Sequence, residues 1–292
     1  MSVLDAVLLG IIQGLTEFLP VSSFAHLIIA EKSMGIGRMS GVMLESILHL
    51  GSAIAVLFVF RKDFLKIMRE LLGLIIDLIG NLHIYLHNRR SQERDLPYTK
   101  LADGTWRRLT VLLIFSSVPT AAIGYCARRL VTIAAVSRFM PGACMLITGV
   151  VLLVTDLGLS QERRMVHDAN PDNAVWMGIC QGLSVFPGIS RAGMAICAGL
   201  LGGLSHRFVV KYACLMSVPA ILGAFALEIT TVSSPNLTPP LMRMYAAGAF
   251  VAFLTGCVMC KILLRLTQQV RLRIFAMYNF LAGALLLLIS FQ

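Results

Sequence analysis

The sequence predicts an all-α polytopic membrane protein built from two inverted repeats, each a re-entrant helical hairpin followed by three transmembrane helices. Three observations predict it: the length of the apolar runs, two apolar segments that break in the middle, and an internal repeat that begins each half. The runs come first. Hydrophobic residues make up 57% of the chain and charged residues 14%, against roughly 45–50% and about 25% in soluble domains. The excess gathers into runs at about 43–60, 109–126, 142–159, 208–229, 241–264 and 274–291, each near the ~20 residues a helix needs to cross the hydrocarbon core. Lipid offers no partners to backbone polar groups, so these runs read as helices. The short alternating strands of a membrane barrel are absent from the sequence pattern.

The broken segments are 3–32 and 173–205. The first is interrupted by Leu19-Pro20-Val21-Ser22-Ser23 and the second by Phe186-Pro187-Gly188-Ile189-Ser190-Arg191. Proline ends an incoming helix because it lacks an N–H and clashes with the preceding turn. Serine just beyond it is a good N-cap for a new helix. The second arm of the first segment, Phe24–Glu31, gives only about 12 Å of helix at 1.5 Å per residue, too little to span. Both segments therefore read as re-entrant hairpins.

The hairpins resemble each other. Gly10-Ile11-Ile12-Gln13-Gly14-Leu15-Thr16-Glu17-Phe18 matches Gly178-Ile179-Cys180-Gln181-Gly182-Leu183-Ser184-Val185-Phe186, and proline follows each within two residues. Each hairpin precedes three apolar spans. Three is odd, so the second copy must be inverted. The expected layout is one integrated membrane domain with a first repeat at 1–159, carrying a cytoplasmic insert at 61–108, and a second at 173–292. Paired broken segments at corresponding places in inverted halves point to a site near the bilayer midplane.

Charge sets the expected orientation. The net charge of +10 does not indicate nucleic acid, because the basic residues lie in loops between apolar runs. With the N-terminus outside, 18 of the 25 Lys and Arg fall in the cytoplasmic segments 61–109, 160–173, 206–211 and 261–273, the excess expected of cytoplasmic loops. Within the insert, Phe64–Ile84 is apolar but interrupted by Lys66, Arg69, Glu70 and Asp77, which fits a helix at the cytoplasmic interface. Asn88–Arg108 reads as a polar, mobile loop. Met1–Leu9 has no basic residue before its apolar stretch, and Asp5 interrupts it, so it does not read as a signal peptide. The seven cysteines lie in apolar segments. Cys257 and Cys260 form a CxxC with no second pair, so packing is the expected role.

Ionisable residues inside membrane segments are costly and are functional candidates by default. Glu17 lies four residues after Gln13, on one helix face. His26 lies one turn from Ser22 and Ser23. Glu45 and His49 repeat the four-residue spacing on the next span. Arg191 stands at the tip of the second hairpin. The second arm of each hairpin starts near the midplane, so its N-terminus carries free N–H groups and partial positive charge into the site. Ser22, Ser23 and Ser190 sit at those ends, and Gly188 and Gly193 flank the second. Arg191 adds a planar fork suited to phosphate oxygens. An anionic headgroup, phosphate above all, is the expected ligand. Glu17 and His26 go beyond binding and suit proton transfer or metal coordination.

At these residues the sequence resembles a known family. Gln13-Gly14-Leu15-Thr16-Glu17-Phe18-Leu19-Pro20-Val21-Ser22-Ser23 with His26 looks like the first signature of the undecaprenyl pyrophosphate phosphatases, an (E/Q)xxxE helix, then PVSS, then histidine. Pro187-Gly188-Ile189-Ser190-Arg191 with Gly193 looks like the second, PGxSRSG. The resemblance covers the whole chain. It implies a bacterial plasma-membrane enzyme that hydrolyses undecaprenyl pyrophosphate to the monophosphate and inorganic phosphate. Such an enzyme recycles the carrier for cell-wall synthesis and confers bacitracin resistance. The resemblance also implies an extracytoplasmic site, a divalent cation (Mg2+ or Ca2+) and the surrounding lipids as neighbours, and it leaves room for a homodimer. By position, Gln13 and Glu17 match the acidic helix, with Glu17 a metal candidate. Ser23 matches the proposed nucleophile, His26 the acid/base and Arg191 the phosphate clamp. The nucleophile stays open between Ser23, His26 and water.

The chain departs from the family pattern at Ala192 and Ala195, where hydroxyls are usual, at Phe24-Ala25 in place of Thr-Gly, and at His49 in place of glutamine. A transporter or flippase of polyprenyl phosphate is the alternative, since broken helices in inverted repeats are a transporter architecture. A phosphatidic-acid-type phosphatase would need SRx5Hx3D, and no histidine follows Arg191 at that spacing.

Overall fold

A computed structural model of the chain describes residues 2–36, 41–90, 96–101, 103–158, 169–231, 238–266 and 271–291. These are helical with connecting turns. In chain order the helices are α1 (Val3–Thr16), α2 (Ser23–Ser33), α3 (Gly41–Val59), α4 (Arg61–Arg90), α5 (Thr105–Val136), α6 (Met140–Leu157), α7 (Pro171–Leu183), α8 (Arg191–Leu201), α9 (His206–Thr231), α10 (Pro239–Leu266) and α11 (Leu272–Ser290). Among the described residues, α5, α6, α9, α10 and α11 are each long and apolar enough to cross a membrane. A sixth candidate is α3 taken together with α4, which leaves it at a bend of 89°. The chain is a multi-pass membrane protein.

The breaks form where the local chemistry demands them. Helix α1 opens with a capping box in which Ser2 and Asp5 bond each other's backbone N–H. It ends before Pro20, and α2 starts with Ser22 as N-cap, its hydroxyl accepting from the Ala25 N–H. Helix α7 ends before Pro187, and α8 starts with Ser190 as N-cap, its hydroxyl accepting from the Gly193 N–H. Between them Gly188 adopts φ +103°, and a Cβ there would lie 2.3 Å from the Pro141 carbonyl oxygen. Only glycine fits that turn. With 14, 11, 13 and 11 residues, α1, α2, α7 and α8 are all shorter than the ~20 needed to span.

Each hairpin packs against a long helix of the other half. Helix α1 lies on α10 and α7 on α5. The approach is close because glycines face it. A Cβ on Gly10 would meet the Gly248 carbonyl oxygen at 2.4 Å, and one on Gly178 would meet the Ser116 carbonyl oxygen at 2.2 Å. The hydroxyl of Thr255 then donates to the Gly10 carbonyl at 3.3 Å, and that of Thr120 to the Gly178 carbonyl at 2.8 Å. Small residues four apart with an interhelical hydrogen bond are the usual way helices bind in lipid, where no hydrophobic force separates helix from solvent. Helices α6 and α11 pack on each other, as do α3 and α9.

Helix α4 runs 30 residues roughly perpendicular to α3 and shows Leu72, Ile76, Ile79 and Leu82 on its exposed side. Arg107 at the start of α5 bonds both Glu70 and Asp77 of α4, and Asp63 pairs with Lys211 of α9 at 2.8 Å. Of the expected mobile loop at 88–108, residues 91–95 and 102 lie outside the described residues. Helix α4 continues to Arg90, and residues 96–101 are tied to it by amide pairs from Asn88 to Leu96 and from Asn81 to Thr99.

Candidate active site

The two hairpin tips touch. The Ser190 hydroxyl donates to the Leu19 carbonyl at 3.4 Å, and the Ser190 N–H donates to Thr148 of α6 at 3.2 Å. Asn279 of α11 donates to the Pro20 carbonyl at 2.9 Å, which fixes the first tip from the opposite side. These contacts bring the N-termini of α2 and α8 together although 168 positions separate Ser23 from Arg191 in the chain.

Glu17, the C-cap of α1, is the centre of the cluster. Its side chain is 3% exposed, and a carboxylate so buried needs partners. Gln13 donates to Oε2 at 2.9 Å, one helical turn away. The Ser23 hydroxyl donates to the same oxygen at 2.8 Å. Arg191 reaches Oε1 at 3.1 Å across the hairpin interface. His49 of α3 places Nε2 at 3.4 Å from Oε2. A nucleophile-type hydroxyl bonded to a carboxylate, with a guanidinium beside both, is a layout for moving a proton from the hydroxyl while holding an anion.

His26 stands on the exit face of α2. Its Nδ1 lies 2.6 Å from the Ser22 carbonyl and its Nε2 lies 2.6 Å from the Tyr278 hydroxyl. A carbonyl only accepts, so Nδ1 carries the proton and Nε2 accepts from Tyr278. The two rings stack at 5.6 Å between centroids with 4° between planes. A narrow pocket reaches Glu17, Arg191 and Ala192 between α8 and α9. It is walled by Val210, Ala213, Cys214, Ser217 and Leu263.

Gln13, Glu17, Ser23 and Arg191 lie together through these contacts, and His26 stands one turn further out. Ser22 and Ser190 are buried and spend their side-chain oxygens as N-caps, so they shape the two helix ends. Gly188 supports the tip from behind, against Pro141 and Cys144, and buried Gly193 is the N–H that Ser190 caps. Gln181, at the position matching Gln13, donates to the Met216 carbonyl of α9 at 3.3 Å. Of the pair Glu45 and His49, His49 enters the cluster, anchored through Nδ1 at 2.8 Å from the Glu45 carbonyl. Sequence reasoning misses Tyr278, Asn279 and Thr148. Tyr278 and Asn279 interrupt an otherwise apolar run, and that interruption is the signal that could have found them.

The family described as bacitracin resistance protein BacA matches residues 6–285. A protein of Desulfosudis oleivorans named undecaprenyl-diphosphatase is 35% identical over 296 residues, covering 100% of both chains. One of Alkaliphilus metalliredigens with the same name is 33% identical over 290 residues, 99% of each chain. A third with that name, from Methanobrevibacter smithii, is 33% identical over 97% of this chain and 96% of its own.

Proposed function

We propose a function from the premise that this chain belongs to the bacitracin resistance protein BacA family: it is an undecaprenyl-diphosphatase. It hydrolyses undecaprenyl pyrophosphate to undecaprenyl phosphate and inorganic phosphate, which returns the lipid carrier to cell-wall synthesis and confers bacitracin resistance. The observation that carries the reading is the convergence of Ser23 and Arg191 on the buried Glu17 carboxylate.

In the proposed reaction the Ser23 oxygen attacks the terminal phosphorus and its proton passes to Glu17, the base within 2.8 Å. The bond from that phosphorus to the bridging oxygen breaks, and undecaprenyl phosphate leaves with the electron pair. A water then attacks the phosphoserine as Glu17 returns its proton to the leaving Ser23 oxygen; the water's protons leave on the inorganic phosphate, and the Ser23 hydroxyl and Glu17 carboxylate are restored. Arg191 and the N–H groups at the starts of α2 and α8 hold the charge on the transferring oxygens, the larger catalytic contribution in phosphoryl transfer. The neutral His26, held by Ser22 and Tyr278, exchanges protons with the departing phosphate.

The site fits a divalent cation. Glu17 offers a carboxylate, and the adjacent Gln13 has a buried amide oxygen with no hydrogen-bond partner; these are oxygen ligands of the kind Mg2+ or Ca2+ takes. Bound there, the ion supplies neutralisation of pyrophosphate charge.

The halves 1–159 and 173–292 act as inverted repeats with re-entrant hairpins, supported by the exchange of contacts in which α1 lies on α10 and α7 on α5. The protein sits in the bacterial plasma membrane with the N-terminus and the site facing the extracytoplasmic side, supported by the excess of Lys and Arg in the opposite loops.

The test is phosphate release from undecaprenyl pyrophosphate by detergent-purified protein, with Mg2+ or Ca2+ against EDTA. Release that needs the cation and disappears in Glu17→Gln supports the reading. Detergent abolishes transport, so a folded protein that releases no phosphate overturns the diphosphatase in favour of a polyprenyl phosphate flippase.

A further inference from the structure

Helix α4 sorts its side chains by the sign of their charge as well as by polarity. Glu70, Asp77, Asn81 and Asn88 stand seven, four and seven residues apart, so they form one line along the helix. That line faces the protein. Arg107 holds Glu70 and Asp77, and the two asparagines hold residues 96–101. Asp63, the remaining carboxylate of α4, pairs with Lys211 of α9. Every acid of the helix is thus engaged by a cation from another element.

The opposite side carries Leu65, Leu72, Ile76, Ile79 and Leu86, each between 43% and 68% exposed. Along its edge Lys62, Arg69, Ile76, His83 and Arg90 recur at steps of seven residues, and all five are exposed. Arg61 joins this face at the α3 end, its guanidinium 5.3 Å over the exposed Phe58 ring. Among the described residues Arg61, Lys62 and Arg69 have no acidic partner on their own helix. The face therefore offers its surroundings only alkyl chains and cations.

Position and charge together say what covers it. Helix α4 leaves α3 at 89°, and Arg107 ties it to the first turn of the candidate span α5. A helix at right angles to a span lies along the membrane plane. Trp106 stands beside it, with the Lys66 Nζ 4.5 Å over its ring, and tryptophan is a residue of the headgroup level. An apolar line at that depth meets the outer methylenes of the lipid, and Lys and Arg stems run along it to reach headgroup phosphates. A zwitterionic headgroup brings its own cation to each phosphate. An acidic headgroup brings none, and a second copy of α4 would set like charges against each other.

We infer that the outer face of α4 is a binding surface for acidic phospholipids, with Arg61, Lys62 and Arg69 on the headgroup phosphates and Leu72, Ile76 and Ile79 against the acyl chains. The inference rests on the chain being a multi-pass membrane protein and is independent of the diphosphatase reading. Its consequence for the site runs through α3, since headgroups held at Arg61 and Lys62 steady the end of the helix that carries His49 to Glu17.

The test identifies the lipid beside α4. Leu72→Trp is made in a Trp106→Phe, Trp176→Phe background, and the full chain is reconstituted in vesicles of equal parts phosphatidylglycerol and phosphatidylcholine. Brominated acyl chains, which quench tryptophan on contact, are placed on one lipid or on the other. The expected result is a preference for phosphatidylglycerol of roughly threefold or more at position 72. It should fall to about one in the Arg61→Gln, Lys62→Gln, Arg69→Gln variant, and shrink at about 1 M salt, where the Debye length is ~3 Å. Leu281→Trp on α11, exposed within a candidate span, should be quenched equally by both lipids and verifies that each variant is inserted. Equal quenching by the two lipids at position 72, or a preference that survives the triple variant, overturns the inference. Quenching at 281 without quenching at 72 also overturns it, and quenching at 72 that appears only on dilution with lipid assigns the face to a second copy. Phosphate release is not the readout, so a failed diphosphatase leaves the lipid preference standing, and a missing preference leaves the diphosphatase standing.

Discussion

At the scale of residues, the cluster makes separate demands on its members. Arg191 reaches Glu17 from the second hairpin and is the one guanidinium at Glu17 among the described residues. Arg191→Ala should lower phosphate release by about 10²–10³-fold, the usual cost of removing a donor aimed at developing charge. Arg191→Lys should recover only part, since an ammonium lacks the planar fork. The hydroxyl of Tyr278 donates to Nε2 of His26, whose tautomer the Ser22 carbonyl sets. Tyr278→Phe keeps the stacked ring and removes only that donor, so kcat should fall by about tenfold with KM little changed, a share of the 10²–10⁴ that acid–base groups supply. A steady-state assay separates the two parameters. The sequence shows Gln13, Glu17, Ser23 and Arg191 because proline, serine and a charge inside an apolar run mark them. Tyr278 is 252 residues from His26, and no local pattern encodes that pairing.

At the scale of elements, the hairpins depend on backbones that approach closely. A Cβ on Gly14 would lie 2.0 Å from the Thr255 hydroxyl and 2.6 Å from the Ala252 carbonyl oxygen. Gly14→Val should therefore destabilise the α1–α10 contact by about 1–3 kcal/mol, the range for overpacked interiors. Gly80 on α4 has nothing within 4 Å, so Gly80→Ala should be neutral or stabilise by about 0.5–1 kcal/mol through helix propensity. Thermal unfolding in detergent compares the two. Asn279→Ala would leave the buried Pro20 carbonyl unpaired, at a cost of about 1–3 kcal/mol. Element boundaries were less legible than element identity. Helix α5 runs to Val136, beyond the apolar run that ends near Cys126, because Arg128 folds back over the Tyr125 ring at 4.1 Å and the helix continues past its charges. The right-angle departure of α4 follows from the mixed face of Phe64–Ile84, which no buried span tolerates.

At the scale of the whole molecule, orientation is a claim about the ends of the bundle. Ser33 at the end of α2 and Asp103 before α5 are both exposed and lie on opposite sides in the proposed topology. With Cys126, the exposed cysteine among those described, replaced by serine, a cysteine at position 33 should label with an impermeant maleimide in intact cells. One at position 103 should label only after permeabilisation, and the reverse pattern would invert the topology. The long apolar helices are legible because the bilayer sets a length. The pairing of α1 with α10 is not, because glycine-lined surfaces look alike in sequence.

The grip of Asn279 on Pro20 joins the last helix to the first turn, and Tyr278 beside it joins the last helix to His26. During synthesis, α1 and α2 leave the ribosome long before α11 exists. Until the C-terminal helix arrives, the first tip lacks its lock and the short α1 and α2 have no α10 to lie against. A stop codon after 260 would thus leave every one of Gln13, Glu17, Ser23, His26 and Arg191 in the product and still yield no site.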